Sequence, residues 1–207
     1  MDVYRGLAVL LVVLLHAQTA LVDSGLERSP ALSAVNAAVG SFRMPGLLLV
    51  SGLLLTLSLR RPAGEYLAGK LRRIAWPWLL WTAVMLPLFG WEAGLEPTWW
   101  LNGAHTWFLT VVFVGYVLGL LLKPVPPFVI AALLFGAAML VDPEAAAGSA
   151  GEWLLVLERV TWFGGYFFVG AGLGRWREDL PRIPWPFMVL PLIVTADWAR
   201  RAAPSPR

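Results

Sequence analysis

The sequence predicts an all-α protein, a polytopic transmembrane helix bundle of about seven spans with a cytoplasmic N-terminus, and three observations predict it. Of 207 residues, 58% are hydrophobic and only 14% charged, with a mean hydropathy of +0.70, more apolar than a soluble domain of this length. Several apolar stretches approach the roughly 20 residues that a helix needs to cross hydrocarbon, whereas the alternating pattern of an outer-membrane strand is absent. Basic residues gather in alternate loops, as the positive-inside rule requires. The lipid bilayer is therefore the first expected partner. The net charge of +3 is explained by those loops, and no nucleic-acid partner is expected. With no Cys, disulfides and thiolate metal sites are excluded.

The spans are read at 4–22, 38–59, 74–91, 105–122, 125–141, 160–175 and 184–198. The first is a retained helix and not a cleaved leader, since it carries His16 and Gln18 and no small-residue cleavage site follows it. Between spans two and three lie Arg60, Arg61, Lys70, Arg72 and Arg73 against Glu65, while the flanking loops hold Asp23, Glu27 and Arg28 on one side and Glu92 and Glu96 on the other. The basic loop is thus cytoplasmic, and so is the N-terminus. The same count puts the acidic stretch from Asp142 to Glu158 outside and Arg175, Arg177 and Arg182 inside. Arg200, Arg201 and Arg207 then fall on the wrong side if the seventh span crosses fully, so either that span is partial or re-entrant or nearby helices are missing. Pro77, Pro87 and Pro191 are expected to kink their helices. Trp76, Trp78, Trp99, Trp100 and Trp185 read as interfacial anchors. Residues 1–201 form one domain, and 202–207 (AAPSPR) a flexible tail.

Arg5 and His16 are eleven positions apart, about three helical turns and about 16 Å of rise, so both project from nearly the same helix face. Arg5 then lies near the cytoplasmic entrance and His16 past mid-membrane. An imidazole partly withdrawn from water stays neutral at pH 7 and can accept a proton, which suits a general base. The plainer reading makes Arg5 a snorkelling anchor capped by Asp2, and His16 a helix-to-helix hydrogen-bonding group. Ionisable groups at that depth nevertheless mark pathways or sites by default.

Four stretches taken in order carry a resemblance. "DVYRGLAVLLVVLLH" in the first span, "SFRMPGLLLVSGLLL" (Ser41 to Leu55) in the second, "KLRRIAWPWLLW" (Lys70 to Trp81) into the third and "HTWFL" (His105 to Leu109) before the fourth resemble the membrane-bound acyltransferase family 3. "GYFFVGAGLGR" (Gly165 to Arg175) is a looser match. The resemblance implies an enzyme of the bacterial inner membrane. It would move an acyl group, commonly acetyl, from cytoplasmic acyl-coenzyme A to a hydroxyl of a carbohydrate or lipid-linked glycan, with acyl-CoA a co-substrate and no cofactor permanently bound. It also implies site residues: His16 as the catalytic histidine, Arg5 as the arginine of the same helix, Asp2 as the acidic residue before it, and Lys70 and Arg73 as the basic pair. Lys70, Arg72 and Arg73 together suit coenzyme A phosphates, although five basic residues would also serve topology alone.

Other candidates read more plainly. Ser51 and Gly52 suit close helix packing. Trp107 and Phe108 are belt residues or a stacking platform, His105 is solvated, and Asp197 pairs with Arg200 and Arg201. Glu152 and Glu158 are solvated in an outer loop or bind acceptor. No metal-ligand spacing and no phosphate loop are present. Two departures stand out. Arg43 occupies the place before Met-Pro where the family usually has His, which implies an altered acceptor or an anion contact. Seven spans are fewer than the family's usual ten or so, which leaves open association with another copy, or a non-catalytic polytopic protein, either transporter-like or a degenerate acyltransferase subunit.

Overall fold

The computed structural model describes residues 2–27, 29–103 and 106–176. Every regular element among them is helical. The chain forms two compact units, residues 1–47 with 177–207, and residues 48–176. The seventh expected span, with Trp185, Pro191 and Asp197, and the tail 202–207 lie outside the described residues, as do Arg28, His105 and the later arginines.

Unit 1 is built on an antiparallel helix pair, α1 (Asp2–Asp23) and α2 (Pro30–Leu53). Helix α2 begins well before the expected start of span two. Pro30 is pre-set for a first helical position, and Ser29 accepts a hydrogen bond from the Leu32 N–H at 3.4 Å, as an N-terminal cap does. The extra turns look too polar for a membrane because they carry Ser33 and Asn36. Those side chains are satisfied across the pair: Gln18 Nε2 donates to Ser33 Oγ at 2.9 Å, and Asn36 Nδ2 donates to Gln18 Oε1. Further along, Arg43 Nη1 donates to the Leu11 carbonyl at 2.8 Å. Leu11 and Gln18 are two turns apart on one edge of α1, so these bonds form a single polar seam.

Unit 2 contains the end of α2, then α3 (Leu55–Ser58), α4 (Ala63–Lys70), a π turn (Leu71–Ala75), α5 (Trp76–Phe89), a 3-10 turn (Trp91–Leu95), α6 (Pro97–Asn102), α7 (Trp107–Leu121), α8 (Pro127–Ala138) and α9 (Ser149–Leu173). Its core gathers Leu48, Leu55, Val111, Tyr116, Phe167 and Phe168. The last six residues of α2 meet α9 almost backbone to backbone. A β-carbon at Gly52 would sit 1.8 Å from the Phe167 carbonyl oxygen, and one at Gly170 would sit 2.0 Å from that of Leu49. Small residues are what membrane helices use to approach this closely, so the packing reading of Ser51 and Gly52 describes Gly52 well.

Several expectations change in detail. The basic loop 60–73 is mostly helix, because "AGEYLAGK" has good helix formers and a proline just ahead of it. Just ahead of Pro77 the chain widens into the π turn. Pro77 has no N–H for the Arg73 carbonyl, while the Trp76 N–H reaches back five residues to the Leu71 carbonyl. Helix α9 starts at Ser149, so Glu152 and Glu158 lie on a helix and not in a loop. Among the interfacial tryptophans, Trp76 is exposed, but Trp78 is buried with its Nε1 donating to the Trp100 carbonyl at 2.8 Å. That bond ties α5 to α6.

Two described helical segments, Pro127–Ala145 and Ser149–Leu173, are long and apolar enough to cross a membrane. Leu10–Val22, Arg43–Ser58 and Trp107–Leu121 are shorter apolar helices. Only 17% of the first segment's apolar window is buried, and Leu133 and Leu140 stand well out from the protein. Outward apolar faces of this extent support a membrane protein.

Candidate active site

In unit 2 the basic stretch divides into an inward and an outward part. Arg72 and Arg73 lie exposed on the π turn. Lys70, the last residue of α4, turns inward: its Nζ is 3.4 Å from the centroid of the Tyr116 ring, 5.3 Å from that of Tyr66, and donates to Ser58 Oγ at 3.2 Å. The two rings are held for it. Tyr66 Oη donates to the Tyr116 carbonyl at 2.8 Å, Tyr116 Oη donates to the Ser51 carbonyl at 3.0 Å, and the rings meet edge to face. An ammonium over aromatic faces is attracted by the ring quadrupoles, yet these supply no neutralising charge.

No carboxylate meets Lys70 among the described residues. Loss of water around the amine, followed by the repulsion of Arg61 and then Arg73, lowers its pKa to about 8. Burial and then neighbouring Tyr116 push the Tyr66 phenol up. The result is a half-buried cation flanked by two exposed guanidinium groups and held against two tyrosine rings.

In unit 1, α1 carries Asp2, Arg5 and His16 at the expected register. The side chains of Asp2 and Arg5 lie outside the described part of the structure. His16 is half-buried. Its position is turned by about 140° to 160° around α1 from Leu11 and Gln18, at 100° per residue. Helix α1 thus uses one edge for the polar seam with α2 and offers another for His16. The proposed base and the positions of Asp2 and Arg5 belong to unit 1, whereas Lys70, Arg72 and Arg73 belong to unit 2.

Two further cations come forward in the structure. Arg43, on the seam, is only 6% exposed. Arg159, just past the stretch read as an acidic loop, sits on α9, donates to Asn102 Oδ1 and lies 5.0 Å over the Trp107 ring. Trp107 also packs on Phe163 at 4.9 Å, so its contacts among the described residues are internal. The sequence signal for Arg159 was an arginine with Leu155, Val156 and Phe163 at helical spacing.

The described residues thus form helices with outward apolar faces and an inward-turned lysine at a helix junction. The family model described as an acyltransferase domain matches residues 1–196, and the chain belongs to that family, acyltransferase family 3. No curated protein and no solved structure matches the chain.

Proposed function

We propose that this family member is a multi-pass O-acyltransferase of the bacterial inner membrane. It takes acyl-CoA, with acetyl the default acyl group, from the cytoplasm and acylates a hydroxyl of a carbohydrate or lipid-linked glycan. In this reading residues 1–201 work as one domain, and the N-terminus and basic stretch face the cytoplasm. The observation that carries the donor side is Lys70, a half-buried cation with no carboxylate partner among the described residues. Phosphates of coenzyme A would supply the missing charge, with Arg72 and Arg73 as exposed partners.

The transfer step follows from the chemistry of thioester and hydroxyl. His16, as a neutral base, takes the hydroxyl proton while the hydroxyl oxygen attacks the thioester carbonyl. The new C–O bond forms, the C–S bond breaks, and the proton passes from the imidazolium to the departing thiolate. Arg5 orients the donor or stabilises the oxyanion, and Asp2 holds Arg5.

Thermal unfolding of the purified full chain in detergent tests the donor side. Millimolar acetyl-CoA is expected to raise the midpoint, because a ligand that binds only the native state stabilises it by mass action. Free coenzyme A is expected to retain most of that shift, and Lys70→Gln to remove it. His16→Ala is expected to keep the shift and abolish transfer. Turnover equal to that of the unsubstituted protein would exclude His16 as the base, and no shift with acetyl-CoA would sink the acyltransferase reading.

A further inference from the structure

Lys70 and Lys123 are the two lysines of the chain, and they are placed differently. Lys123 is exposed in the turn after α7. Lys70 is held by its amine. Ser58 Oγ donates its own proton to the Leu54 carbonyl at 2.9 Å, so it meets Lys70 Nζ, 3.2 Å away, with a lone pair. The face of the Tyr116 ring takes a second N–H at a centroid distance of 3.4 Å, while the Tyr66 ring stands farther off at 5.3 Å. An ammonium has three N–H donors, and no third partner at hydrogen-bond distance is present among the described residues. Two donors engaged and one lone pair free are the valences of the neutral amine, which is the nucleophilic form.

The charged surroundings favour the same form. The titratable groups on the elements around the amine are Tyr66 on α4, Tyr116 on α7, and Arg61, Arg72 and Arg73. Glu65, also on α4, is exposed, and neither α3 nor α7 carries a carboxylate. Loss of water, then repulsion by Arg61 and Arg73, brings the Lys70 pKa to about 8. About a tenth of the amine is then neutral at pH 7, about 300-fold more than for an ordinary lysine. The amine also lies near the surface: Leu71, Arg72 and Arg73 follow it exposed, and beside it at Gly69 a β-carbon would meet nothing within 4 Å. Arg61, Arg72 and Arg73, all exposed, attract anions. Activated acyl groups travel in water on anionic carriers, as coenzyme A thioesters or as acyl phosphates.

We propose that Lys70 is an acylation site, its amine taking an acyl group from an anionic activated donor and becoming an uncharged amide. The nitrogen lone pair attacks the acyl carbonyl and a C–N bond forms. The C–S bond of a thioester, or the C–O bond of an acyl phosphate, breaks, and the proton shed by nitrogen goes to the departing thiolate or phosphate. The amide keeps an N–H for Ser58 but offers the phosphates of coenzyme A no cation. Acylation therefore switches off the donor side, a regulation that rests on the acyltransferase reading; the chemistry at the amine does not rest on it.

The purified full chain in detergent is treated at pH 7 with acetyl phosphate or with acetyl-CoA, and acetylation of Lys70 and Lys123 is followed by peptide mass spectrometry. The larger neutral fraction is partly offset by the weaker nucleophilicity of a less basic amine, so Lys70 is expected to react about tenfold faster than Lys123 with acetyl phosphate. In chain unfolded in guanidinium chloride the two are expected to react alike. Equal rates in the folded protein, or a faster Lys123, would overturn the inference. Selective labelling by acetyl-CoA identifies thioesters as the source, and selective labelling by acetyl phosphate alone identifies acyl phosphates. Thermal unfolding reads the regulation. Protein acetylated at Lys70 is expected to lose its stabilisation by acetyl-CoA. Lys70→Arg, which keeps a cation and has no amine to acylate, is expected to retain that stabilisation after the same treatment. Full stabilisation of the acetylated protein would overturn the switch. If the untreated protein gains no stability from acetyl-CoA, the acyltransferase reading fails, while the ratio of Lys70 to Lys123 labelling still decides the acylation site.

Discussion

The two units join their helices by different means. In unit 1 the contact between α1 and α2 runs through amide, hydroxyl and guanidinium groups, from Ser33 and Asn36 against Gln18 to Arg43 against Leu11. In unit 2 the end of α2 meets α9 through glycines, with Gly52 and Gly170 set against opposing carbonyls and Phe167 and Phe168 filling the centre. Between apolar helices in lipid there is no hydrophobic force to separate inside from outside, so close packing and hydrogen bonds must do it. Packing through glycine admits no larger residue and fixes distance. Pairing through polar side chains tolerates exchange and fixes register. A charged side chain such as Arg43 can be held on a seam of the second kind, and hardly at all on a contact of the first.

Substitutions at the two contacts should therefore differ in size. Gly52→Ala is expected to give the largest loss of stability, at or above the upper end of the ~1–3 kcal/mol usual for overpacking. The new methyl would overlap the backbone of Phe167, which cannot swing aside as a side chain would. Thermal unfolding in detergent reads this directly, and a midpoint unchanged from the parent protein would remove the distinction between the units.

A smaller effect with a distinctive pH signature is expected at Lys70. Its pKa is about 8 in the folded protein against an ordinary value of 10.5. Between those two values the unfolded chain holds the proton and the folded chain has released it, so stability should rise with pH across that window. Affinity for acetyl-CoA should instead fall as pH rises through about 8, because the uncharged amine no longer attracts phosphate. Measured together from pH 7 to pH 10, the two curves should have opposite slopes. Lys70→Gln should flatten both, and parallel slopes would place the titrating group elsewhere.

Asn36→Leu is expected to have the smallest effect. It removes the bond to Gln18, worth about 0.6 kcal/mol by the average for polar contacts between membrane helices, but it also removes the Asn36 Oδ1 atom, which is buried without a partner. The two changes offset, and the midpoint should stay within about 1 kcal/mol of equivalence. A collapse as large as that of Gly52→Ala would show that the seam carries the fold of unit 1.

Most of the helical order could be read from the sequence, because α1, α7 and α8 each hold a long apolar run. The start of α2 could not. Ser33 and Asn36 look like loop residues until Gln18, at a distance in the chain, is found to satisfy them. The start of α9 could not either, since Glu152 and Glu158 make a helical segment look like an outer loop. As for the candidate site, residue types and spacing brought out Lys70, Arg72 and Arg73 as a group. Their division into one inward and two outward cations depends on Tyr116, contributed by a helix that comes later in the chain, and on a π turn that exists because Pro77 withholds a donor. Arg43 stood out as a departure from the family pattern. Its burial is a property of three-dimensional structure alone.

The π turn acts as a phase shifter. It holds one residue more than an ordinary turn would, and so sets α4 and α5 at a mutual rotation that an unbroken helix does not have. Restoring the missing donor with Pro77→Ala would let the same residues close into one regular coil, turning Lys70 by close to one residue's worth, about 100°, relative to α5. The lysine would then swing away from its tyrosines, although neither it nor any group it touches had been altered.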